Sequence, residues 1–327
     1  MPSPRIAIAQ SPTEMESLAL LWEHLLKQQS HTVFQKFSWN RLAAQMFGDR
    51  MRPYVVSVEA DSGAAIIPAA INHHATGQVE FLGENLFDYR DILHAGDVEV
   101  LALAWQQLAR CEQSIYVAGI EQAAASVRWM NIPLSEFAPA PVVDRSLIDE
   151  NAFRLAHSRL GRQMRRLEHK GVHFRRSSGN ESASIRRLYQ AKREHFGAAD
   201  DNVFYDQQRC EFMIALAALE GSGCEFFSLA DDAGTLIAGL LTFRDELFRR
   251  FYTIYFHPQW ARYSPGVALL YEVTAMSLRE GLTCDYMTGE YPYKMRLANS
   301  SRPLFKLALN AQELRDVAER SKWPKAA

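Results

Sequence analysis

The spacing of apolar positions changes several times along the chain, and each change predicts an element. Leu18, Leu21, Trp22 and Leu25 recur at helical spacing and predict a helix over Thr13 to Gln29. Tyr54, Val56 and Val58 alternate instead, which predicts a strand from Pro53 to Glu59. Asp61-Ser62-Gly63 then turns the chain into a second strand, Ala64 to Ile71. A strand over Gln78 to Leu82, a helix over Val98 to Cys111 and a short strand over Ser114 to Val117 follow. Pro133, Pro139 and Pro141 break the pattern and mark a crossing, so the chain reads as lobes 1–145 and 146–327.

The second lobe begins with a helix from Asn151 to Lys170. Its apolar stripe is Phe153, Ala156, Leu160, Met164 and Leu167, and Gly171 stops it. A strand over Val172 to Arg175 and helices over Ile185 to Phe196 and Gln207 to Leu219 come next. The clearest hairpin joins Phe226–Ala230 to Leu236–Phe243 through Asp231-Asp232-Ala233-Gly234. Arg249 to Phe256 is a third strand, Val267 to Glu280 a helix and Cys284 to Thr288 a fourth strand; Phe305 to Leu309 adds a last one before a charged helix. Strand, helix, strand in this order is a βαβ crossover, and ligands of open sheets gather where strands diverge. The fold class is therefore α/β with a mixed sheet.

Composition narrows the function. Hydrophobic residues are 48% of the 327 and charged ones 23%, as in a soluble globular protein, and the formal charge of −2 argues against a dedicated DNA binder. Cys111, Cys210, Cys224 and Cys284 form no CxxC pair, so neither a metal site nor a disulfide framework is predicted. No stretch has the length of a membrane span or the pattern of a signal peptide, and a cytoplasmic protein is expected.

The connector His257-Pro258-Gln259-Trp260-Ala261-Arg262-Tyr263-Ser264-Pro265-Gly266 bears most directly on chemistry. Ser264 suits an N-cap, Pro265 a first helical position, and Gly266 lets a ligand approach the backbone. The N–H groups and positive dipole end of the following helix make a place for a phosphate, with Arg262 as an added two-pronged donor. A well-capped helix beside an ordinary surface arginine fits the same residues.

Phe153 to Leu309 resembles the GNAT acyltransferase family of the cellulose-biosynthesis type (CelD/BcsL-like). It is more distantly similar to the Fem-type aminoacyl transferases. The resemblance rests on the basic helix Arg159 to Leu167, Ile237-Ala238-Gly239, Tyr252 to Phe256 and Ala261 to Gly266. Asp285, Gly289-Glu290 and Tyr293-Lys294 complete it. Leu82-Gly83 with Asp88-Tyr89-Arg90-Asp91 resembles the family's N-terminal lobe. What this implies is a pair of tandem GNAT-like lobes, the C-terminal one catalytic. Acyl-CoA would be the co-substrate, with its pantetheine arm between splayed strands near Phe256 and its pyrophosphate at the next helix. Aligned to the family's turn, Tyr263 stands where Gln or Arg is usual, with Gly266 and Ala268 at the small positions. The acceptor implied is an amine on a small molecule or a glycan precursor; Fem-type relatives take their acyl group from aminoacyl-tRNA instead. A non-catalytic binding module is the remaining alternative.

Acylating an amine needs a base, a donor for the oxyanion and a leaving carrier. Glu290, past a strand end, and Asp285, an acid on a strand expected to be buried, are the base candidates; an ion pair with an arginine for Asp285 and a solvated surface position for Glu290 fit the same residues. Tyr255 and His257, which close the neighbouring strand, are further candidates for the base, and a histidine before Pro258 also suits a plain turn. The resemblance lifts Lys294 to a candidate for holding an anionic group, beside Tyr293. Arg159, Arg162 and Arg166 share a helix face that could steer phosphates or pair with acids. Asp88, Tyr89 and Asp91 are candidates for an acceptor cleft or a capped turn.

Overall fold

The computed structural model describes residues 3–73, 77–125, 134–196 and 204–319; Pro133 lies outside them. The chain forms two compact units, 1–138 with 303–327 and 139–302. The sequence-based division at 145/146 thus differs in two ways: the crossing comes at Pro139, and the last strand and helix return to the first unit.

In the first unit, β1 (Arg5–Ala9) opens the chain. The expected Thr13–Gln29 helix divides into α1 (Pro12–Met15), a 3-10 turn (Glu16–Leu18) and α2 (Ala19–Gln28). Then come α3 (Phe37–Met46), β2 (Met51–Pro53), β3 (Val55–Ala60), β4 (Gly63–Ile67), β5 (Ala69–Asn72) and β6 (Val79–Phe81). The series ends with β7 (Leu93–Gly96), α4 (Val98–Ala109) and β8 (Ile115–Glu121). β1, β3, β4 and β7 make one antiparallel sheet; β2, β5 and β6 make a second, in which β6 meets β8 in parallel at Val79↔Ile115. Alternation in β3 buries Val56 and Val58 against Val100, Leu101 and Trp105 of α4.

The second unit starts on β9 (Leu134–Val143). Pro139 and Pro141, read above as breaks, sit inside this strand; a proline keeps its carbonyl, and both carbonyls are used as acceptors here. The single helix expected over Asn151–Lys170 is two, α5 (Glu150–Ala156) and α6 (Ser158–Glu168), broken at His157 (φ −109°, ψ 29°). The rest is β10 (His173–Ser178), α7 (Ser182–Phe196), α8 (Gln207–Ala218), β11 (Cys224–Ala230), β12 (Leu236–Arg244) and β13 (Phe248–Phe256). After these come α9 (Pro265–Arg279), β14 (Thr283–Asp285) and α10 (Pro292–Met295). Strand order is β10-β11-β12-β13-β14-β9, antiparallel except for the β13/β14 pair. The chain then returns to the first unit as β15 (Ser300–Leu309), paired with β8, and α11 (Ala311–Glu319).

One core cluster of the second unit joins α6 to α9: Leu160, Met164 and Leu167 pack with Ala268, Leu269, Tyr271 and Val273. Charges tie the helices further. Arg154 grips Glu272 with both terminal nitrogens (3.0 and 2.8 Å), and Glu150 accepts from Arg154 and Arg279. The hydrogen bonds from Arg279, with a smaller share from Arg154, hold the Glu150 carboxyl down at about 2 against an ordinary value near 4.5. A depressed carboxylate stabilises the fold above its unfolded pKa and loses that contribution as pH falls through the folded one. Thermal stability is therefore expected to drop between about pH 4.5 and pH 2, more shallowly in Glu150→Gln. Melting curves across that range check it. Partial exposure of the pair keeps the effect small.

Candidate functional site

β13 and β14 begin as paired parallel strands and then part. Their register covers Phe248↔Thr283, Arg249↔Cys284 and Arg250↔Asp285 and ends there, although β13 runs on to Phe256. Past Asp285 the chain follows β9: the Tyr286 N–H donates to Pro141 O and the Gly289 N–H to Pro139 O, both at 3.0 Å. On its other flank β13 stays paired with β12 as far as Ala238↔Phe256, with Tyr252 as the extra residue of a bulge. The opening is thus on one side of β13 only.

Backbone direction follows from that register. The His257 N–H donates to Ile237 O at 2.8 Å, so the backbone groups of Thr253, Tyr255 and His257 turn toward β12. Those of Ile254 and Phe256 turn toward the opening. Side chains alternate as well. Ile254 and Phe256 lie against Gly266 of α9, where an added Cβ would sit 3.4–3.6 Å from their side chains. Tyr255 points to the other face, its ring 6.5 Å from that of His195 on α7.

Two buried arginines lock the closed end. Arg249, fully buried, donates to Glu225 (2.8 Å), Glu280 (2.9 Å) and Ser277 (2.6 Å). Arg250 donates to Asp245 (2.7 Å) and Asp285 (2.6 Å). The other Asp285 oxygen accepts the Met287 N–H at 2.8 Å. This carboxylate, 0% exposed, is spent on structure, the second of the two roles its sequence position suggested.

The turn before α9 departs from expectation in one respect. Pro258–Tyr263 is a 3-10 turn capped by His257, whose Nδ1 accepts the Gln259 N–H. Ser264 stands at the N-cap position of α9 but makes no side-chain cap; it adopts φ 47°, ψ 51°. That left-handed geometry costs a residue with a Cβ about 1–2 kcal/mol. No side-chain cap covers the first N–H groups of α9. Tyr263 sits between two cations, with Lys170 Nζ 5.3 Å and Arg262 Cζ 4.7 Å from its ring centre; Trp260 is 5.7 Å away. Gly266 is buried at the opening. Ala268, fully buried in the core, contributes packing, not a contact surface.

Glu290 is exposed, one residue past Gly289, whose φ of 100° turns the chain there. Lys294 is buried, and its ammonium donates to Met287 O (3.2 Å) and Thr288 O (2.7 Å), fastening the loop that presents Glu290. Tyr293 stacks on exposed Tyr291 at 5.9 Å, and burial pushes its hydroxyl up to about 12. Tyr255 is buried and its hydroxyl raised, by burial first and by Glu194 second, so it keeps its proton and suits a donor. The Cys224 and Cys284 thiols, pushed up to about 12 by burial, are inert as nucleophiles. Among the described residues no group of three or more His, Cys, Asp or Glu is arranged to hold a metal ion, and no helix is long and apolar enough to cross a membrane.

The N-terminal candidates are used inside their own unit. Tyr89 is 1% exposed, and Asp91 accepts from Ile92 N–H (2.8 Å) and Ala125 N–H (2.7 Å). The Arg90 N–H donates to Gly119 O at 3.0 Å, and a Cβ on Gly119 would lie 2.1 Å from Asp88 O. Past the single β6/β8 pair, the chain's own segment 88–90 thus lies along β8. The Asp91 carboxylate is thus used within its own unit, and Tyr89, Arg90 and Asp91 line a small cavity there.

Arg162 is exposed on α6 and lines a cavity of about 360 Å³ with Arg154, Arg165, Glu168, Tyr271 and Glu272. Arg159, Arg165 and Arg166 are exposed beside it, and none of the four makes an ion pair with an acid among the described residues.

Residues 154–295 match the family model described as Acetyltransferase (GNAT) domain. Three solved structures overlay nearly the whole chain. The C-terminal domain of a putative lysylphosphatidylglycerol synthetase from Agrobacterium fabrum has TM-score 0.58 and 13% identity, covering 94% of this chain and 95% of its own. FemX gives 0.57 and 10%, with 92% and 98% covered. A tandem GNAT protein from the clavulanic acid biosynthesis pathway gives 0.51 and 11%, with 94% and 98% covered. The fold is a tandem GNAT fold. At such identities the likeness speaks to fold alone, and no curated protein matches the sequence. Within the segment that matches the family model, the parting of β13 from β14 leaves one strand edge open beside an uncapped helix start.

One residue at this opening was missed from sequence. Lys192 of α7 falls on the stripe Ile185, Leu188, Tyr189, Lys192, whose other members are buried in the core. A lysine at the fourth place of an apolar stripe was the available signal.

Proposed function

We propose that the protein transfers an acyl group from acyl-CoA to an amine, with the donor lying along the open edge of β13. The observation that carries this reading is the parting of β13 and β14 after Arg250↔Asp285 next to the α9 start. The donor's amide arm would pair with the backbone of Ile254 and Phe256, and its pyrophosphate would meet the first N–H groups of α9, aided by Arg262. Gly266 keeps that approach clear. Glu290 takes the proton of the attacking amine, and Tyr255 supplies one to the leaving thiolate. The sequence resemblance to the cellulose-biosynthesis type makes an amino sugar or glycan precursor the first acceptor to try.

A second reading has a specific observation of its own. Arg159, Arg162, Arg165 and Arg166 continue through Lys170 to Tyr263 and Arg262, with Glu168 on the same helix and Glu272 across the cavity beside Arg162 and Arg165. Such a run suits a longer phosphodiester than CoA offers, as the resemblance to Fem-type transferases implies.

A thermal-shift series with CoA, acetyl-CoA, longer acyl-CoAs and tRNA decides between them, because a ligand of the native state raises the melting temperature. A rise with acyl-CoA is expected. A rise with tRNA alone would move the donor to the second reading, and silence throughout would leave a binding module. With a donor in hand, Glu290→Gln is expected to lower kcat by about 10²–10⁴ with little change in KM; full turnover would remove Glu290 from the mechanism.

A further inference from the structure

Lys192 stands at the open edge of β13. Its helix comes close to the sheet because Gly239 of β12 has no side chain: a Cβ there would lie 3.0 Å from Leu188 Cδ1. One turn further, the Lys192 ammonium reaches the carbonyl of Ile254 at 2.7 Å and lies 4.4 Å from the Phe204 ring centre. Register directs that carbonyl to the side that β14 has left. The residue is only 8% exposed. Burying an ammonium is costly, and a surface lysine in its place would avoid the cost.

We propose that Lys192 is a catalytic residue that donates a hydrogen bond to the acyl carbonyl oxygen of the bound donor. This rests on the acyl-transfer reading above, whichever carrier brings the acyl group. As the amine nitrogen attacks, the C–N bond forms and the carbonyl π pair moves to oxygen, where the Lys192 N–H meets the negative charge. Collapse of that oxyanion breaks the bond to the carrier, which leaves with the pair and takes a proton. The amine's surplus proton passes to the base. An ammonium in a dry setting acts on that charge far more strongly than in water.

Burial lowers the Lys192 pKa to about 8, so the ammonium is present at neutral pH and lost as pH rises through that value. The titratable neighbours are Tyr189, Arg193, Glu194 and His195 on its own helix, Tyr255 on β13 and Cys210 on α8. The Tyr189, Tyr255 and Cys210 groups are raised, chiefly by burial.

The test is isotope-edited infrared spectroscopy of [1-¹³C]acetyl-CoA bound to the full chain, with alanyl-tRNA labelled at its ester carbonyl as the second donor. The carbonyl stretch is expected at lower frequency than in free donor, at the free value in Lys192→Met, and lowered again in Lys192→Arg. In the unaltered protein the displacement should fade between pH 7 and pH 9.5 on the Lys192 pKa of about 8; this arm needs no variant to fold. A displacement that survives both Lys192→Met and high pH, with donor still bound, overturns the assignment alone. Failure of both donors to bind the unaltered protein would take down the acyl-transfer reading and this one with it.

Discussion

Arg250→Met is expected to destabilise the second unit by about 3–5 kcal/mol, the largest loss among single substitutions at this site. Arg250 is 2% exposed and is bonded to Asp245 and Asp285, whose side chains are 6% and 0% exposed. Without the guanidinium, two carboxylates remain in a medium that solvates them poorly, and each must be protonated or admit water. Adding Asp285→Asn removes one stranded charge and keeps an oxygen for the Met287 N–H. The double variant should therefore be more stable than Arg250→Met alone, with a coupling energy of about 1–3 kcal/mol. Hydrogen exchange of β13 and β14 amides in increasing urea measures both. A loss under about 1 kcal/mol would mean the pair is not what pins the closed end.

That pair also shows what the sequence could and could not reveal. Asp285 was conspicuous as an acid in an apolar strand, but its partner lies thirty-five positions earlier, and no local pattern links the two. Elements set by local chemistry were readable. The β11/β12 hairpin follows from alternating apolar runs around a turn in which Asp231 accepts the Thr235 N–H and Gly234 takes φ 80°. Elements set by tertiary pairing were not. β9 forms despite Pro139 and Pro141 because Tyr286 and Gly289 need their carbonyls, and β1 and β7 are short strands held by neighbours. The connector was legible as a helix start, and its uncapped Ser264 was not, because a left-handed serine is imposed by the fold around it. Asp88, Tyr89 and Asp91 were ambiguous for the converse reason. Polar residues in a turn look alike whether they face a ligand or satisfy the chain's own N–H groups, and here Asp91 does the second.

Gly266→Ala separates folding from donor binding at the open end. A Cβ at position 266 meets Phe256 Cδ1 at 3.4 Å and Ile254 Cδ1 at 3.6 Å, ordinary contact distances, and Gly266 lacks a positive φ that would exclude alanine. The free protein should keep its stability or gain about 0.4–1 kcal/mol, since alanine loses less backbone freedom than glycine on entering a helix. The same methyl would stand on the face that α9 turns to Ile254 and Phe256, where the pyrophosphate has to approach the helix start. Donor affinity should fall at least about tenfold, or about 1.4 kcal/mol, read by calorimetric titration with acetyl-CoA beside melting curves of the free protein. The two readouts are meant to move apart. Equal affinity in a stably folded Gly266→Ala protein would place the donor's phosphates elsewhere, because a group seated on these N–H donors has no room to spare for a methyl group between itself and the helix.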